Sequence, residues 1–329
     1  MRDIATPPHT HRQSRTATPG FILLVSLSTL LVFTVILLSA YLRLVNSGLG
    51  CSNWPACYAL LSVTHDAQQP AAHGWATLAH RLSASILGFF ILAIAVIAVQ
   101  RRRQPGQSLG IPLALLGLTV FLALLGYKTP AQLLPWVTLG NLLGGMGMLG
   151  LLWWLGTAAA PLSGQAYRDL RPWAVFGLVV VSLQIALGAW NSANFAALAC
   201  PSLLDCGGVH ASVAGIVEAF NPARHLAAGA DGHVMIDEHT KLIHLGHRLG
   251  ALIAFAYLGG LGWRAMRTGE GVRTIGVVLL SLLLLQVGLG IAAVVLALPL
   301  SLVLLHNATA ALLLLSVVML NRRLTSASD

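Results

Sequence analysis

The chain has 329 residues, of which 57% are hydrophobic and only 9% are charged. A soluble domain carries roughly a quarter charged residues, so this composition excludes a soluble globular protein and indicates a polytopic membrane protein. The formal net charge of +9 does not indicate nucleic-acid binding, because no stretch combines basic residues with aromatic ones in a soluble fold. We interpret the arginines instead as anchors in cytoplasmic loops.

The apolar runs predict eight membrane-spanning helices, since a spanning helix needs about 20 mainly apolar residues. The first run is too long for a cleaved signal peptide, so residues 1–19 are expected to form a tail before a retained first helix. The expected fold is therefore an all-α integral membrane protein. The predicted spans are 20–44, 76–99, 109–127, 134–157, 172–193, 242–264, 273–296 and 299–320.

Lysine and arginine counts set the expected orientation of these spans. Arginines cluster in the two tails and in alternate loops, while the opposite loops hold little beyond Lys128, Arg224 and Lys241. An even number of spans puts both termini on one side. We therefore expect both tails, including residues 321–329, in the cytoplasm, and the long loops 45–75 and 194–241 outside.

Two apolar runs share a His-Arg-Leu start, at His80 and at His247, about half the chain apart. Each half holds four predicted spans, and a long outer loop follows the first span of each half. This pattern predicts an internal duplication by parallel repeat. The expected architecture is two pseudo-symmetric four-helix bundles, residues 20–157 and 172–320.

The four cysteines form two C-x5-C pairs, Cys51 with Cys57 and Cys200 with Cys206. Each pair follows the first span of its half, on the outer side, where an oxidising environment favours disulfides. A zinc site is the alternative, with His210 as the nearby extra ligand. A redox-active pair is a third option, because exposed short-loop disulfides can be labile. We expect two intraloop disulfides.

Four of the 12 histidines lie in or at the predicted spans, namely His80, His244, His247 and His306. His247 and His306 come from different spans of the carboxy-terminal half, at comparable depth. Two imidazoles that face each other across a bundle can hold haem iron, and helix-to-helix hydrogen bonding is the alternative role. Arg248, next to His247, is expected to pair with a haem propionate.

The amino-terminal half offers fewer candidate ligands. The shift that lays His80 on His247 places Asn141 or Gly140 opposite His306. One half thus supplies two imidazoles and the other supplies one. This suits one permanent haem with one exchangeable site, or an amino-terminal half that binds nothing. The spans contain no Asp or Glu, whereas an ion-coupled transporter normally needs buried carboxylates, so the sequence argues against transport.

Five stretches are spread over nearly the whole chain: YLRLVNSGLGCSNWPACY, AHRLSASILG, QIALGAWNSANFAALACPSLLDC, LIHLGHRLGALIAF and LLHNATAALLLL. Together they resemble the haem A synthase family, enzymes of cytochrome oxidase assembly that oxidise a ring methyl of haem O to the formyl group of haem A. The resemblance implies an eight-span membrane oxidoreductase of the bacterial cytoplasmic membrane. Its expected partners are haem O, a haem O synthase, an electron donor and membrane lipid, with a homo-oligomeric state left open.

The resemblance also implies roles for individual residues. His247 and His306 match the ligands of a haem b, His80 matches a ligand of the substrate haem O, and the cysteine pairs match the family's outer-loop pairs. Two positions depart from the family pattern, because Asn141 stands at a usual histidine and Thr77 at a usual glutamate. An amide oxygen is a poor substitute for imidazole on iron, and threonine cannot act as a carboxylate base. The alternative to an active enzyme is therefore a catalytically impaired haem-binding paralogue in haem delivery or oxidase assembly.

Overall fold

A computed structural model describes residues 18–47, 58–59, 70–104, 108–128, 134–157, 162, 164–200, 202–203, 205–209, 212–227, 229–230 and 232–325. Within these ranges, eight helices are long and apolar enough to cross a membrane, which confirms the prediction of an all-helical chain with eight spans. The spanning helices are α1 (Pro19–Asn46), α2 (Pro70–Gln100), α3 (Gly110–Lys128), α4 (Pro135–Gly156), α5 (Gln165–Ala193), α7 (Glu238–Thr268), α8 (Glu270–Val295) and α9 (Leu300–Thr325). A short helix, α6 (Val213–Ala219), lies in the loop between α5 and α7.

Capping residues and prolines explain where several helices begin. Pro19 and Pro135 occupy the first positions of α1 and α4, where a backbone N–H would have no partner within the helix. Asp237 caps α7, and its Oδ1 accepts a hydrogen bond from the backbone N–H of Thr240 at 2.8 Å. Gly269 separates α7 from α8 with φ 153°, a conformation that favours glycine.

The long helices pack on one another in two rings. In the first ring α1 packs on α2, α2 on α3, α3 on α4, and α4 returns to α1. In the second ring α5 packs on α7, α7 on α8, α8 on α9, and α9 returns to α5. The rings meet where α4 packs on α5 and α9, and where α1 packs on α9. The division at residues 157 and 172, and the pseudo-symmetry between the halves, stay predictions.

Several helices are longer than the apolar spans read from the sequence. The fifth helix begins at Gln165 instead of 172, and the sixth span runs from Glu238 to Thr268. The added turns consist mainly of polar residues. They are still helical because backbone hydrogen bonding continues past the end of the apolar run. At one end of the bundle two arginines lie over tryptophan rings: the Arg264 guanidinium is 4.6 Å from the Trp173 ring centre, and that of Arg322 is 5.5 Å from Trp154.

Glycines allow α7 and α8 to approach each other closely. A Cβ added at Gly276 would lie 2.7 Å from the carbonyl oxygen of Gly262 and 2.7 Å from the backbone nitrogen of Met266. Small residues permit this backbone contact, which is a common way of packing helices in membranes. The second ring is therefore held together tightly at the end opposite to His247.

Candidate functional site

The two histidines of the carboxy-terminal half converge inside the second ring. His247 lies in α7 and His306 in α9, and both of these helices pack against α5 and α8. α7 and α9 therefore occupy opposite positions in the ring. Both imidazoles are partly buried. The structure brings together the pair that the sequence singled out.

Each imidazole also contacts a glutamine that the sequence reading missed. Nε2 of Gln184, on α5, lies 3.2 Å from Nδ1 of His247 and donates to the His247 carbonyl oxygen at 3.1 Å. Nε2 of Gln286, on α8, lies 3.0 Å from Nε2 of His306. A signal was available in the sequence, because both glutamines open a Gln-x3-Gly motif, QIALG at 184–188 and QVGLG at 286–290.

Glycines leave room for the imidazoles beside α5 and α8. A Cβ at Gly188 would lie 3.1 Å from Cε1 of His247, and a Cβ at Gly290 would lie 3.2 Å from Cε1 of His306. Four helices thus contribute to one cluster, with histidines from α7 and α9 and glutamine–glycine pairs from α5 and α8. Two imidazoles in an apolar bundle form a donor set that fits haem iron.

The predicted amino-terminal residues lie on α2 and α4. His80 is partly buried, and Thr77 lies one turn earlier on the same face of α2. Arg81 is exposed. Asn141 is partly buried on α4 and has an interaction partner. α2 and α4 both pack against α1 and α3, so they hold opposite positions in the first ring, as α7 and α9 do in the second.

Arg248 fastens a disulfide loop to the start of α7. Its guanidinium donates to the carbonyl oxygens of Ser202 at 2.7 Å, Leu203 at 3.1 Å and Cys200 at 3.0 Å. Its Nε donates to Nε2 of His244 at 3.1 Å, and His244 is only 3% exposed. The sequence suggested a propionate as the partner of Arg248, and in the structure its guanidinium contacts loop carbonyls and a histidine.

The predicted disulfide of the second half is present, joining Cys200 to Cys206. Both sulfur atoms lie 3.9 Å from the carbonyl oxygen of Lys241 at the start of α7. The other predicted pair, Cys51 and Cys57, and the alternative ligand His210 lie outside the described residues.

Asp237 anchors a charged cluster just before α7. Its Oδ2 accepts hydrogen bonds from Arg224 at 2.8 Å and from Nδ1 of His239 at 3.1 Å. Burial opposes ionisation of Asp237, but the hydrogen bonds from the Thr240 N–H, from His239 and from Arg224 outweigh it and lower the pKa of this carboxyl. The carboxylate therefore remains ionised and caps α7 at neutral pH.

The loops of the two halves touch at this same end of the bundle. The backbone N–H of Val234 donates to the carbonyl of Ala59 at 2.8 Å, and the rings of Tyr58 and Phe195 meet edge to face at 6.2 Å. Burial raises the pKa of Tyr58, and the nearby charge of Arg43 acts against this shift. Residues 58–59 and the connection that follows α5 thus meet at the end of the bundle that holds the histidines.

Comparison with known proteins agrees with these features. A family profile described as "Cytochrome oxidase assembly protein" matches residues 22–318. A protein of Shewanella oneidensis named "Heme A synthase" is 36% identical over 314 residues, which covers 88% of this chain and 93% of the relative. A "Heme A synthase" of a Methylobacterium species is 32% identical over 169 residues, covering 50% of this chain and 44% of that protein. One of Geobacillus kaustophilus is 35% identical over 91 residues, covering 27% and 26% respectively. The chain is a multi-pass membrane protein, and it belongs to the haem A synthase family of cytochrome oxidase assembly proteins.

Proposed function

We propose that this chain is a haem A synthase-type membrane oxidoreductase that converts haem O into haem A for cytochrome oxidase assembly. In this reaction the carbon of a ring methyl loses two hydrogen atoms, gains one oxygen atom and gives up four electrons, so the reaction needs an external oxidant such as dioxygen. The observation that carries the proposal is that His247 and His306 lie on opposite helices of one bundle, each against a glutamine and a glycine of a neighbouring helix. This bundle lies in a chain that is 36% identical over most of its length to a "Heme A synthase".

We assign His247 and His306 as the residues that would hold the iron of a haem b. A bis-imidazole haem is a six-coordinate, low-spin group that can relay electrons. Gly188 and Gly290 support this role, because a side chain at either position would crowd the adjacent ring. The guanidinium of Arg248 already donates to carbonyls of the loop between Cys200 and Cys206. If Arg248 also paired with a haem propionate, the same guanidinium would bind both the loop and the haem.

His80 is the residue we assign to the substrate haem O. Thr77 and Asn141 cannot supply the carboxylate and second imidazole that the family pattern would place there. A single imidazole leaves one side of a bound haem without a protein ligand. These two positions are also the basis of the alternative, a haem-binding paralogue that acts in haem delivery or oxidase assembly without converting haem O.

Haem extraction from the purified protein tests the proposal. The protein is expressed with and without a haem O synthase, and its haems are separated and quantified. We expect haem b in both preparations and haem A only with the synthase. A normal low-spin spectrum without haem A in either preparation would favour the paralogue.

Alanine variants separate the two halves. His247→Ala or His306→Ala removes an axial ligand, so either variant should lose the low-spin spectrum. His80→Ala should keep that spectrum and lose haem A formation. His225→Ala, at an exposed loop position, is the matched control and should behave as wild type. Loss of the spectrum in the His80 variant, with retention in the His247 variant, would reverse the assignment of halves.

Restoring the family residues tests the amino-terminal site directly. The double change Thr77→Glu and Asn141→His should raise the yield of haem A from a low starting level, because it adds a carboxylate base and a second imidazole. If the unmodified protein already converts haem O at full rate, another group does their work and our interpretation of this site is wrong.

The proposed location is the bacterial cytoplasmic membrane, with both termini in the cytoplasm. The basic loops support it, and so do Arg264 and Arg322, which lie over tryptophan rings at the end of the bundle that carries those loops. A carboxy-terminal reporter that is active only in the periplasm should therefore be silent.

A further inference from the structure

The glutamine–glycine pairs of α5 and α8 frame the two imidazoles in similar but unequal ways. Residues four positions apart lie on the same face of a helix, so Gln184 and Gly188 point at His247 together, and Gln286 and Gly290 point at His306. The glutamines differ in the ring nitrogen that they contact. Gln184 approaches Nδ1 of His247, whereas Gln286 approaches Nε2 of His306.

The contact between α5 and α7 is reciprocal. The ring of His247 lies over Gly188, and the amide of Gln184 lies over Gly250, three residues after His247 on α7. A Cβ at Gly250 would overlap Oε1 of Gln184 and would lie 2.6 Å from Cδ1 of Leu187. Each polar side chain thus occupies the space that a glycine on the other helix leaves free. The amide of Gln184 is held at the imidazole by shape as well as by hydrogen bonding.

An imidazole that binds iron needs its second nitrogen fixed. A ligating histidine usually donates the N–H of its other nitrogen to an acceptor, which sets the tautomer and the ring orientation. Oε1 of Gln184 is buried without a hydrogen-bond partner in the described part of the chain. A half-turn of the amide about its last bond would bring this oxygen to Nδ1 and Nε2 towards Gly250. The hydrogen bond to the His247 carbonyl would be lost, and the amide oxygen would then face that carbonyl, so the bond from the ring N–H has to offset both effects.

We propose that Gln184 is the positioning residue of the haem site: it accepts the Nδ1 proton of His247 and thereby presents Nε2 to the iron. This rests on the proposed function, in which His247 is an axial ligand. Gln286 contacts the other ring nitrogen: its amide lies on Nε2 of His306, while Nδ1 of His306 and Oε1 of Gln286 are buried without a hydrogen-bond partner among the described residues. That amide must turn away before Nε2 of His306 can bind a metal. The two glutamines therefore affect haem binding differently.

Titration of the full-length, detergent-solubilised protein with ferric haem b, after its resident haem has been removed, tests this difference. Binding is followed by the low-spin absorbance, and the midpoint reduction potential is measured on the loaded protein. Gln184→Leu should weaken haem affinity by about 10- to 100-fold, as is typical when the hydrogen-bond partner of a metal ligand is removed. Gln286→Leu should not weaken it. Gln165→Leu, at an exposed position on α5, is the matched control and should match wild type.

Gln184→Glu separates positioning from mere packing. A carboxylate accepts the Nδ1 proton more strongly, makes the imidazole a stronger donor to ferric iron, and should lower the reduction potential while binding is retained. Gln184→Leu should raise the potential. If the leucine variant does not fold, Gln184→Asn, which withdraws the amide by one methylene, should show the same loss of affinity.

Failure of the two proposals can be told apart. If wild type shows no low-spin haem, or His247→Ala keeps it, the haem site itself is wrong. If those two behave as expected but Gln184→Leu retains wild-type affinity and potential, the positioning role is refuted. Equal losses in Gln184→Leu and Gln286→Leu would refute the proposed difference between the two glutamines.

Discussion

Replacement of Gly276 by alanine is predicted to separate α7 from α8. The new methyl would lie 2.7 Å from the Gly262 carbonyl oxygen and 2.7 Å from the Met266 nitrogen. These are backbone atoms, which cannot rotate away, so the helices themselves must move. Overpacking of this kind costs about 1–3 kcal/mol. Gly288→Ala, on the same helix with nothing within 4 Å of the added methyl, should instead be neutral or stabilise by up to about 1 kcal/mol.

Unfolding by a denaturing detergent, followed by tryptophan fluorescence, measures both variants against wild type. The Gly276 variant should unfold at a lower detergent fraction, and the Gly288 variant at the same or a higher one. Because Gly276 lies near the end of α8 that is remote from Gln286, the low-spin spectrum of folded Gly276→Ala should be unchanged. Equal stability of the two variants would refute the argument that backbone contact at Gly276 brings these helices together.

Two further predictions concern the loop end of the bundle. Arg248→Lys keeps the charge but loses the planar guanidinium that donates to three loop carbonyls. A phosphine should therefore reduce the Cys200–Cys206 disulfide faster in this variant than in wild type. An unchanged rate of reduction would contradict the anchoring role of Arg248. Asp237 has a lowered pKa in the folded protein, so its stabilisation is fully present above the unfolded-state pKa of about 4 and is lost as the pH falls through the folded-state value. The thermal unfolding temperature of wild type should therefore fall below about pH 4. Asp237→Asn should lose this part of the pH dependence. Identical profiles of unfolding temperature against pH in the two proteins would contradict the capping role.

The number and type of the helices could be read from the sequence because a membrane leaves few options. Backbone groups inside the bilayer must bond within their own segment, so a long apolar run has to be a helix. The helix ends were less predictable. The turns that extend α5 back to Gln165 and α7 out to Glu238 are polar, and hydropathy does not register them.

The candidate site was only partly predictable. His247 and His306 stood out because a polar, ionisable side chain within an apolar run is costly and therefore noticeable. Gln184 and Gln286 were not predicted as site residues because they are uncharged, although the Gln-x3-Gly motif occurs at both positions. The loop carbonyls that Arg248 contacts were also not predicted. Its position next to His247 in the sequence suggested only a haem propionate as its partner.

The sequence by itself determined the membrane location, the helical class and the residue types that can bind iron, because these follow from composition and local pattern. Only the tertiary structure decided which face of each helix meets which neighbour. Gln184 and His247 are 63 positions apart, and their contact depends on the rotation of α5 and α7 about their axes. Nearly uniform apolar helices carry little pattern to fix that rotation. Close packing at Gly188 and Gly250 fixes it instead, since those glycines are where a side chain of one helix fits against the backbone of the other.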